Sequence, residues 1–214
     1  MSHVFVNGPA SWNTLVEVDA LPGPVSQTIF ASAYRDGLGG TSAGKAVSLA
    51  ALGVDVVLRT VLGADEPGER VRAALAHERI RLETAEASGG RSERHLNLMA
   101  ADGGRLSVYL ELPQALGPSD AGASLRDARV AVLDLAASSL PLIAQAQALG
   151  VPVWCDVHDD DGQQEFQRPF ADGADVVVVS GSRLDDPGAY LRDRVARGAR
   201  LAVCTLGAQG ALAL

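Results

Sequence analysis

The sequence has 214 residues and a formal net charge of −8 at neutral pH, and 47% of its residues are hydrophobic while only 4% are aromatic. This length suits one α/β domain with a core built mainly from Val, Leu and Ala. The negative charge argues against a nucleic-acid or membrane-surface partner, because phosphate groups would be repelled. The sequence contains neither a recognisable signal peptide nor an apolar run of membrane length, so we expect a cytoplasmic protein.

The first predicted element is an apolar strand at Val4–Val6, which ends in a turn at residues 7–9. Open α/β sheets bind their ligands at the carboxyl ends of such strands. Asn13 follows shortly afterwards, and its amide either binds a ligand hydroxyl or stabilises a turn. Residues 15–34 then mix apolar and polar positions without helical period, which predicts half-buried strands, including one at Thr28–Tyr34.

The segment from Gly37 to Gly53 contains two adjacent glycines, Gly39 and Gly40, followed by an apolar helical pattern. The pattern ends at Gly53, as expected for a helix C-cap. A pair of glycines has no Cβ atoms, so a ligand can lie against its backbone and face the N–H groups of the following helix. The sequence therefore predicts a ligand-binding turn here.

One explanation of this turn is a Walker A loop, with the pattern G-x-x-x-x-G-K-[ST]. Gly39, Gly44 and Lys45 fit that pattern, but Ala46 stands where a hydroxyl should bind magnesium. Residues 33–36 upstream are polar, whereas a Walker A loop follows a buried parallel strand. A P-loop NTPase is the disfavoured alternative.

Further along the chain, Asp65 precedes a proline and an amphipathic pattern, which predicts a helix N-cap. Two alternating runs at residues 93–99 and 104–110 predict a hairpin, in which Arg94 and Asn97 would reach a ligand if their face turns inward. His95 lies in the same hairpin, and the sequence assigns it no role.

From residue 130 onward, Val-rich strands alternate with helices, which predicts a parallel sheet covered by helices. The predicted strands are Val130–Leu135, Val151–Cys155, Asp175–Val179 and Arg200–Thr205, and the predicted helices are Leu140–Leu149, Gln163–Phe170 and Pro187–Arg197. Within the first strand, the apolar run Val130–Leu133 ends in Asp134, a Walker B-like arrangement that is common in any α/β protein. Cys155 and Cys204 lie in these strands and are expected to be buried free thiols.

Four segments, in order, resemble the ribokinase-like (PfkB) carbohydrate kinases. They are Gly8 with Asn13 after the first strand, Gly39, Gly40, Ala46, Ala50, Leu52 and Gly53 in a GGxxxNxAxxxAxLG pattern, Asp65 with Gly68, and Thr205, Gly207 and Gly210 in a TLGxxG pattern. The resemblance implies a three-layer α/β/α fold with a mostly parallel, Rossmann-like central sheet. It also implies a small β-sheet lid from about residues 14–36 and 91–112, within one domain spanning residues 1–214.

The resemblance further implies ATP-dependent phosphoryl transfer, with Mg²⁺, to a hydroxyl of a sugar or nucleoside. The substrate-binding residues would be Asn13, Gly39, Gly40, Thr41 and Gly44, and the nucleotide-binding residues would be Ser180, Thr205, Gly207 and Gly210. No metal ligand is predicted. A homodimer formed through the lid strands is the expected assembly.

The sequence departs from the family pattern at four positions. Asn13 replaces an Asp, Gly44 replaces an Asn, and Ser180 and Arg183 replace the Asn-x-x-Glu residues that organise magnesium. Ser180 and its neighbours either bind phosphate or form a helix-entry turn.

The family's Gly-Ala-Gly-Asp motif, which carries the general base, is absent from residues 1–214. We therefore expect the base to lie beyond Leu214 and this chain, a C-terminally truncated kinase, to be inactive alone. A non-catalytic protein that binds sugar or nucleotide is the alternative.

Overall fold

A computed structural model describes residues 2–117 and 121–214 and contains two sheets, of eight and four strands. In chain order the strands are β1 (His3–Asn7), β2 (Ser11–Val18), β3 (Ala33–Gly39), β4 (Val56–Leu62), β5 (Ile80–Glu86), β6 (Arg94–Ala100), β7 (Arg105–Glu111), β8 (Ala128–Leu133), β9 (Val153–Asp156), β10 (Val176–Ser180), β11 (Leu201–Thr205) and β12 (Ala211–Ala213). The α-helices are α1 (Thr41–Ala51), α2 (Glu66–Ala74), α3 (Gly122–Arg126), α4 (Leu140–Leu149), α5 (Arg168–Gly173) and α6 (Pro187–Ala196).

The large sheet has the order β12-β11-β10-β9-β8-β1-β4-β5, and its strands are parallel except for β12. Alternate side chains of β1 pack against the helices on opposite faces of the large sheet. Phe5 packs in a core with α3 to α6, whereas Val4 and Val6 pack in a second core with α1 and α2. This arrangement is the predicted three-layer α/β/α fold, so the predicted fold class is confirmed.

The small sheet has the order β3-β2-β6-β7 and forms a lid beside the large sheet. Strand β2 pairs antiparallel with β3 and parallel with β6, and β6 and β7 form the predicted hairpin. The strand expected at Thr28–Tyr34 is wrong in its extent, because residues 19–32 lie outside any strand and β3 begins at Ala33.

The helix predictions are confirmed in part. Helix α4 has the predicted bounds, whereas α5 begins at Arg168 rather than Gln163. Asp65 caps α2 as predicted, since its Oδ1 accepts the N–H of Gly68 at 3.1 Å. Strand β5 was not predicted, because its alternating apolar and charged residues lie at the sheet edge without a strong apolar signal.

Strand β1 lies between β4 and β8. The chain adds β4 and β5 on one side of β1 and later adds β8 to β12 on the other side. The carboxyl ends of β1 and β8 therefore form a topological switch point, where doubly wound sheets bind ligands. In the described ranges, no helix has both the length and the apolar character needed to span a bilayer.

Candidate active site

A cavity of about 800 Å³ lies between the carboxyl edge of the large sheet and the lid. Its volume is in the upper part of the range of about 300–1,000 Å³ typical of small-molecule sites. Both sheets contribute to its wall. The residues on the large-sheet side of the cavity include Gly8, Gly40, Thr41, Thr60 and His158. The residues on the lid side include Asn13, Glu93, His95, Asn97, Ser107 and Tyr109.

The glycine pair brings the start of α1 against the connection between β1 and β2. Gly40 has a φ of 90°, and a Cβ atom there would lie 2.3 Å from the carbonyl oxygen of Pro9. A Cβ atom at Gly39 would lie 2.0 Å from Nδ2 of Asn13. No side chain caps the N terminus of α1, which leaves this helix end suited to an anionic or hydroxyl-rich ligand.

Thr41 and Gly44, the other two residues expected to bind the substrate, both lie on α1, but only one of them lines the cavity. Thr41 lines the cavity, whereas Gly44 is exposed and is not among the lining residues. A Cβ atom at Gly44 would meet nothing within 4 Å. Gly44 therefore has no contact that links it to the cavity.

Asn13 lies inside β2, so its interpretation as a turn residue is wrong. The side chain is buried at the cavity wall, and its Oδ1 accepts a hydrogen bond from the N–H of His95 at 3.2 Å. The amide thus joins β2 to β6 on the inner side of the lid. Its Nδ2 group lies beside the glycine turn, where a ligand hydroxyl can accept from it.

Below the turn, a partly buried charged cluster anchors α1 to the switch point. The carboxylate of Asp134 is fully buried and accepts from Oγ of Ser42 at 2.5 Å and from Nζ of Lys45 at 2.6 Å. A Cβ atom at Gly8 would lie 2.4 Å from that hydroxyl, so glycine allows the close approach. Nζ of Lys45 also lies 3.7 Å from Asp156.

The Walker A interpretation is therefore wrong. The strand before the glycine turn is β3, an antiparallel strand of the lid. Lys45, which would bind a nucleotide phosphate in a P-loop, contacts two carboxylates instead. The partner Asp134 is 89 residues away in sequence, and no local pattern signals that contact.

The inner face of the lid carries Asn97, which the sequence singled out, and also Glu93 and His95, to which the sequence assigned no role. Oε1 of Glu93 lies 2.8 Å from Nε2 of His95, and both side chains are buried. Asn97 faces inward and accepts from Oγ of Ser107 at 2.7 Å. Arg94 is not among the lining residues. Strand alternation was the available signal, since His95 and Asn97 must share a face.

The residues expected at the nucleotide lie at the same edge of the sheet, farther from the lid. Ser180 ends β10 and pairs in register with Thr205, which ends β11. Oγ of Ser180 accepts from the N–H of Ser182, as in a helix-entry turn. Gly207 and Gly210 form the turn into β12 with φ values of 57° and 90°. None of these residues lines the large cavity.

The position of the expected magnesium-organising acid does not suit a resident metal. Arg183 pairs there with Asp159 at 3.4 Å and with Asp161 at 2.8 Å. Hydrogen bonds from Gln163 and Gln164, together with Arg183, hold the pKa of Asp161 below its usual value. Across residues 2–117 and 121–214, no three His, Cys, Asp or Glu side chains converge in a way that would hold a metal ion.

The two-sheet architecture, with a glycine turn at the switch point under a lid, is that of the ribokinase-like kinases. The structure aligns over 99% of this chain and 72% of the microbiome-derived acarbose kinase Mak1, with a TM-score of 0.86 and 27% identity. It also aligns over 100% of this chain and 75% of an Arabidopsis thaliana ribokinase bound to ribose and ATP, with a TM-score of 0.75 and 19% identity.

The sequence itself has a related carbohydrate kinase. It is 31% identical over 212 residues to the acarbose 7(IV)-phosphotransferase of Actinoplanes sp., covering 97% of this chain and 71% of that relative. No protein-family model matches the sequence. The chain belongs to the ribokinase-like carbohydrate kinases, a family of phosphotransferases that act on sugars.

Proposed function

We propose that this protein binds a sugar in the lid cavity and serves ATP-dependent transfer of a phosphoryl group to one of the sugar hydroxyls. The observation that carries the proposal is the uncapped glycine turn, which opens into a cavity at the switch point. Its helix N terminus provides N–H donors and a positive dipole end. Such a terminus can donate hydrogen bonds to the hydroxyl oxygens of a sugar and hold one hydroxyl in position for attack on phosphorus.

The sugar would be held by the residues that line the cavity near this turn. Gly40 and Thr41 would present backbone groups, and the amides of Asn13 and Asn97 would donate to and accept from hydroxyls. Neutral hydrogen-bonding groups suit a polyol, which carries no charge of its own. Gly39 would act by letting the turn approach Asn13 closely.

ATP would bind along the neighbouring strand ends, at Ser180, Thr205, Gly207 and Gly210. The two positive-φ glycines expose backbone at this edge, and Ser180 and Thr205 place hydroxyl groups beside each other. Magnesium would arrive as part of the nucleotide substrate, because no group of His, Cys, Asp or Glu in the described part of the chain forms a metal site. When bound, the ion would neutralise phosphate charge.

We place the general base outside residues 1–214, because no Gly-Ala-Gly-Asp sequence occurs within them. On this proposal the described residues bind both substrates but do not transfer phosphoryl without the segment that carries the base. A non-catalytic binding protein is the second candidate. It is favoured by Asn13, Gly44, Ser180 and Arg183, which all differ from the residues that the family resemblance implies.

Isothermal titration of the chain with acarbose, glucose, adenosine and MgATP tests the binding proposal. We expect saturable binding of at least one saccharide and of MgATP, and no heat from any of the four would contradict it. A phosphoryl-transfer assay then separates the two candidates. A reading frame extended beyond Leu214 should transfer phosphoryl to the bound sugar if the protein is a kinase, and should remain inactive if it is a binding protein.

We further propose a homodimer through the outer face of the lid, and action in the cytoplasm, where ATP is available. An apolar row crosses all four lid strands on the side away from the cavity, formed in register by Tyr34, Val16, Leu98 and Leu106. Tyr34 is 77% exposed and Leu106 is 43% exposed. A second copy of the chain would cover this row and the open strand edges.

A further inference from the structure

The inner face of the lid carries functional side chains well beyond the glycine turn. Strands β6 and β7 present three cross-strand pairs to the cavity, and these pairs are His95 with Tyr109, Asn97 with Ser107, and Met99 with Arg105. Because alternate residues of a strand share a face, these side chains form two parallel columns above the cavity.

The columns extend farther than one sugar ring. The N–H of His95 donates to Oδ1 of Asn13, which places the first pair beside the glycine turn. Met99 lies four positions farther along β6, about 13 Å away at ~3.3 Å per residue. A single ring held at the turn would leave the pair of Met99 and Arg105 without contact.

The chemistry of these columns suits saccharide rings. Asn97 and Ser107 are hydrogen-bonded to each other at 2.7 Å and retain further donor and acceptor capacity for hydroxyls. Tyr109 is 59% exposed and Phe166 is 46% exposed, although both line the cavity. Exposed aromatic faces offer large apolar surfaces on which the apolar faces of sugar rings can pack.

The cavity wall also contains buried polar atoms without hydrogen-bond partners. These atoms are Oγ1 of Thr60 and Nε2 of His158. Nε2 of His95 lies near Glu93 but makes no well-directed hydrogen bond. Native proteins rarely leave buried polar atoms unpaired, so a water molecule or a ligand hydroxyl at this wall would pair with them.

We propose that the substrate is a linear saccharide of two or more rings. The ring that accepts the phosphoryl group lies at the glycine turn, and the remaining rings lie along β6 and β7, against Ser107, Met99 and Arg105. This inference rests on the proposed sugar-binding function and adds the length and direction of the substrate to it.

Titration of the wild-type chain with glucose, maltose, maltotriose and acarbose tests the proposal. We expect the dissociation constant to fall at least tenfold between glucose and the longest ligands, since added rings contact the lid columns. Equal affinity for glucose and the longer ligands would overturn this inference alone. Absence of binding at every length would overturn the proposed function as well.

Variants on the two faces of β7 test where the additional rings bind. Arg105→Ala and Ser107→Ala should weaken binding of the longer ligands by about tenfold or more and leave glucose unchanged. Val108→Ala is the matched control, because Val108 lies next to Ser107 on the opposite face of β7. If Ser107→Ala does not fold, Arg105→Ala still decides the matter. Unchanged affinity in both inner-face variants would overturn the assignment.

Discussion

Lys45, the single lysine of the sequence, donates from Nζ to Oδ1 of the fully buried Asp134 at 2.6 Å. The contact joins the second turn of α1 to the end of β8, and Ser42 adds a hydrogen bond to the same carboxylate. The glycine turn is thus held at the switch point by an ion pair whose carboxylate is buried and whose lysine is partly exposed. We expect this pair to determine the stability of the site.

Lys45→Met should lower the free energy of unfolding by about 3 kcal/mol, because Asp134 would be left charged and buried without its cation. Adding Asp134→Asn should recover much of the loss, since an amide needs no counter-charge. Urea denaturation measures both effects. Arg79→Met, which removes the exposed pair with Asp55, is the control and should cost less than about 1 kcal/mol. Equal losses at positions 45 and 79 would contradict the prediction.

Gly40→Ala should lower both stability and sugar affinity. The residue has a φ of 90°, and its new Cβ atom would lie 2.3 Å from the Pro9 carbonyl oxygen. We expect the turn to shift, with a loss of roughly 2 kcal/mol in unfolding free energy. Gly37→Ala is the control, because nothing lies within 4 Å of its Cβ position. Thermal melting and sugar titration of both variants check the prediction, which fails if the two variants behave alike.

Cys155 and Cys204 should not react with a thiol reagent such as dithionitrobenzoate in the folded protein at about pH 8. Burial raises the pKa of Cys155 to about 12, and the carboxylate of Asp134 acts in the same direction. Both thiols are buried and free. In denaturant, both should react at once. Rapid labelling of the native protein would show that the sheet around these strands opens readily.

Asp65 should make stability depend on pH in the acid range. Burial acts to raise the pKa of its carboxyl, but hydrogen bonds from Ser92 and Gly68 outweigh it and bring the pKa below its ordinary value of 3.8. The folded state therefore binds this proton less tightly than the unfolded state does. The contribution is fully present above pH 3.8 and is lost as the pH falls through the lower folded value.

Comparison with Asp65→Asn tests this assignment. The wild type should lose more unfolding free energy than the variant between about pH 6 and pH 2, because only the wild type has the ionisable carboxyl. Denaturation at several pH values measures the difference. Parallel pH profiles would mean that Asp65 does not contribute to the acid dependence.

Leu106→Asp should convert the proposed dimer into a monomer. The substitution puts a charge at the β7 end of the outer apolar row of the lid, where a second copy would bury it. Sedimentation velocity measures the change. Leu149→Asp, at an exposed position of α4, is the control and should remain dimeric. A wild type that sediments as a monomer at every concentration would refute the assembly.

The sequence was most informative where periodicity and burial coincide. Val-rich runs predicted the parallel sheet because strands buried on both faces are apolar along most of their length, as β10 is from Val176 to Val179. The glycine pair was identifiable because only a residue without Cβ fits that turn. By contrast, the contact of Lys45 with Asp134 and the direction of His95 depend on tertiary packing. The same limit applies to Asn13, whose neighbour in β6 is 82 residues away.

The pairing of β2 with β6 has a consequence for the order of folding. Residues 14–18 must find residues 96–100, so the centre of the lid closes a loop of some eighty residues. Such distant pairings are slow to form, because chain entropy is lost before any contact compensates for it. The hairpin of β6 and β7 can assemble locally, whereas the complete lid has to wait until β4, α2 and β5 are in place. A refolding chain would therefore form the hairpin of β6 and β7 before it closes the lid over the cavity.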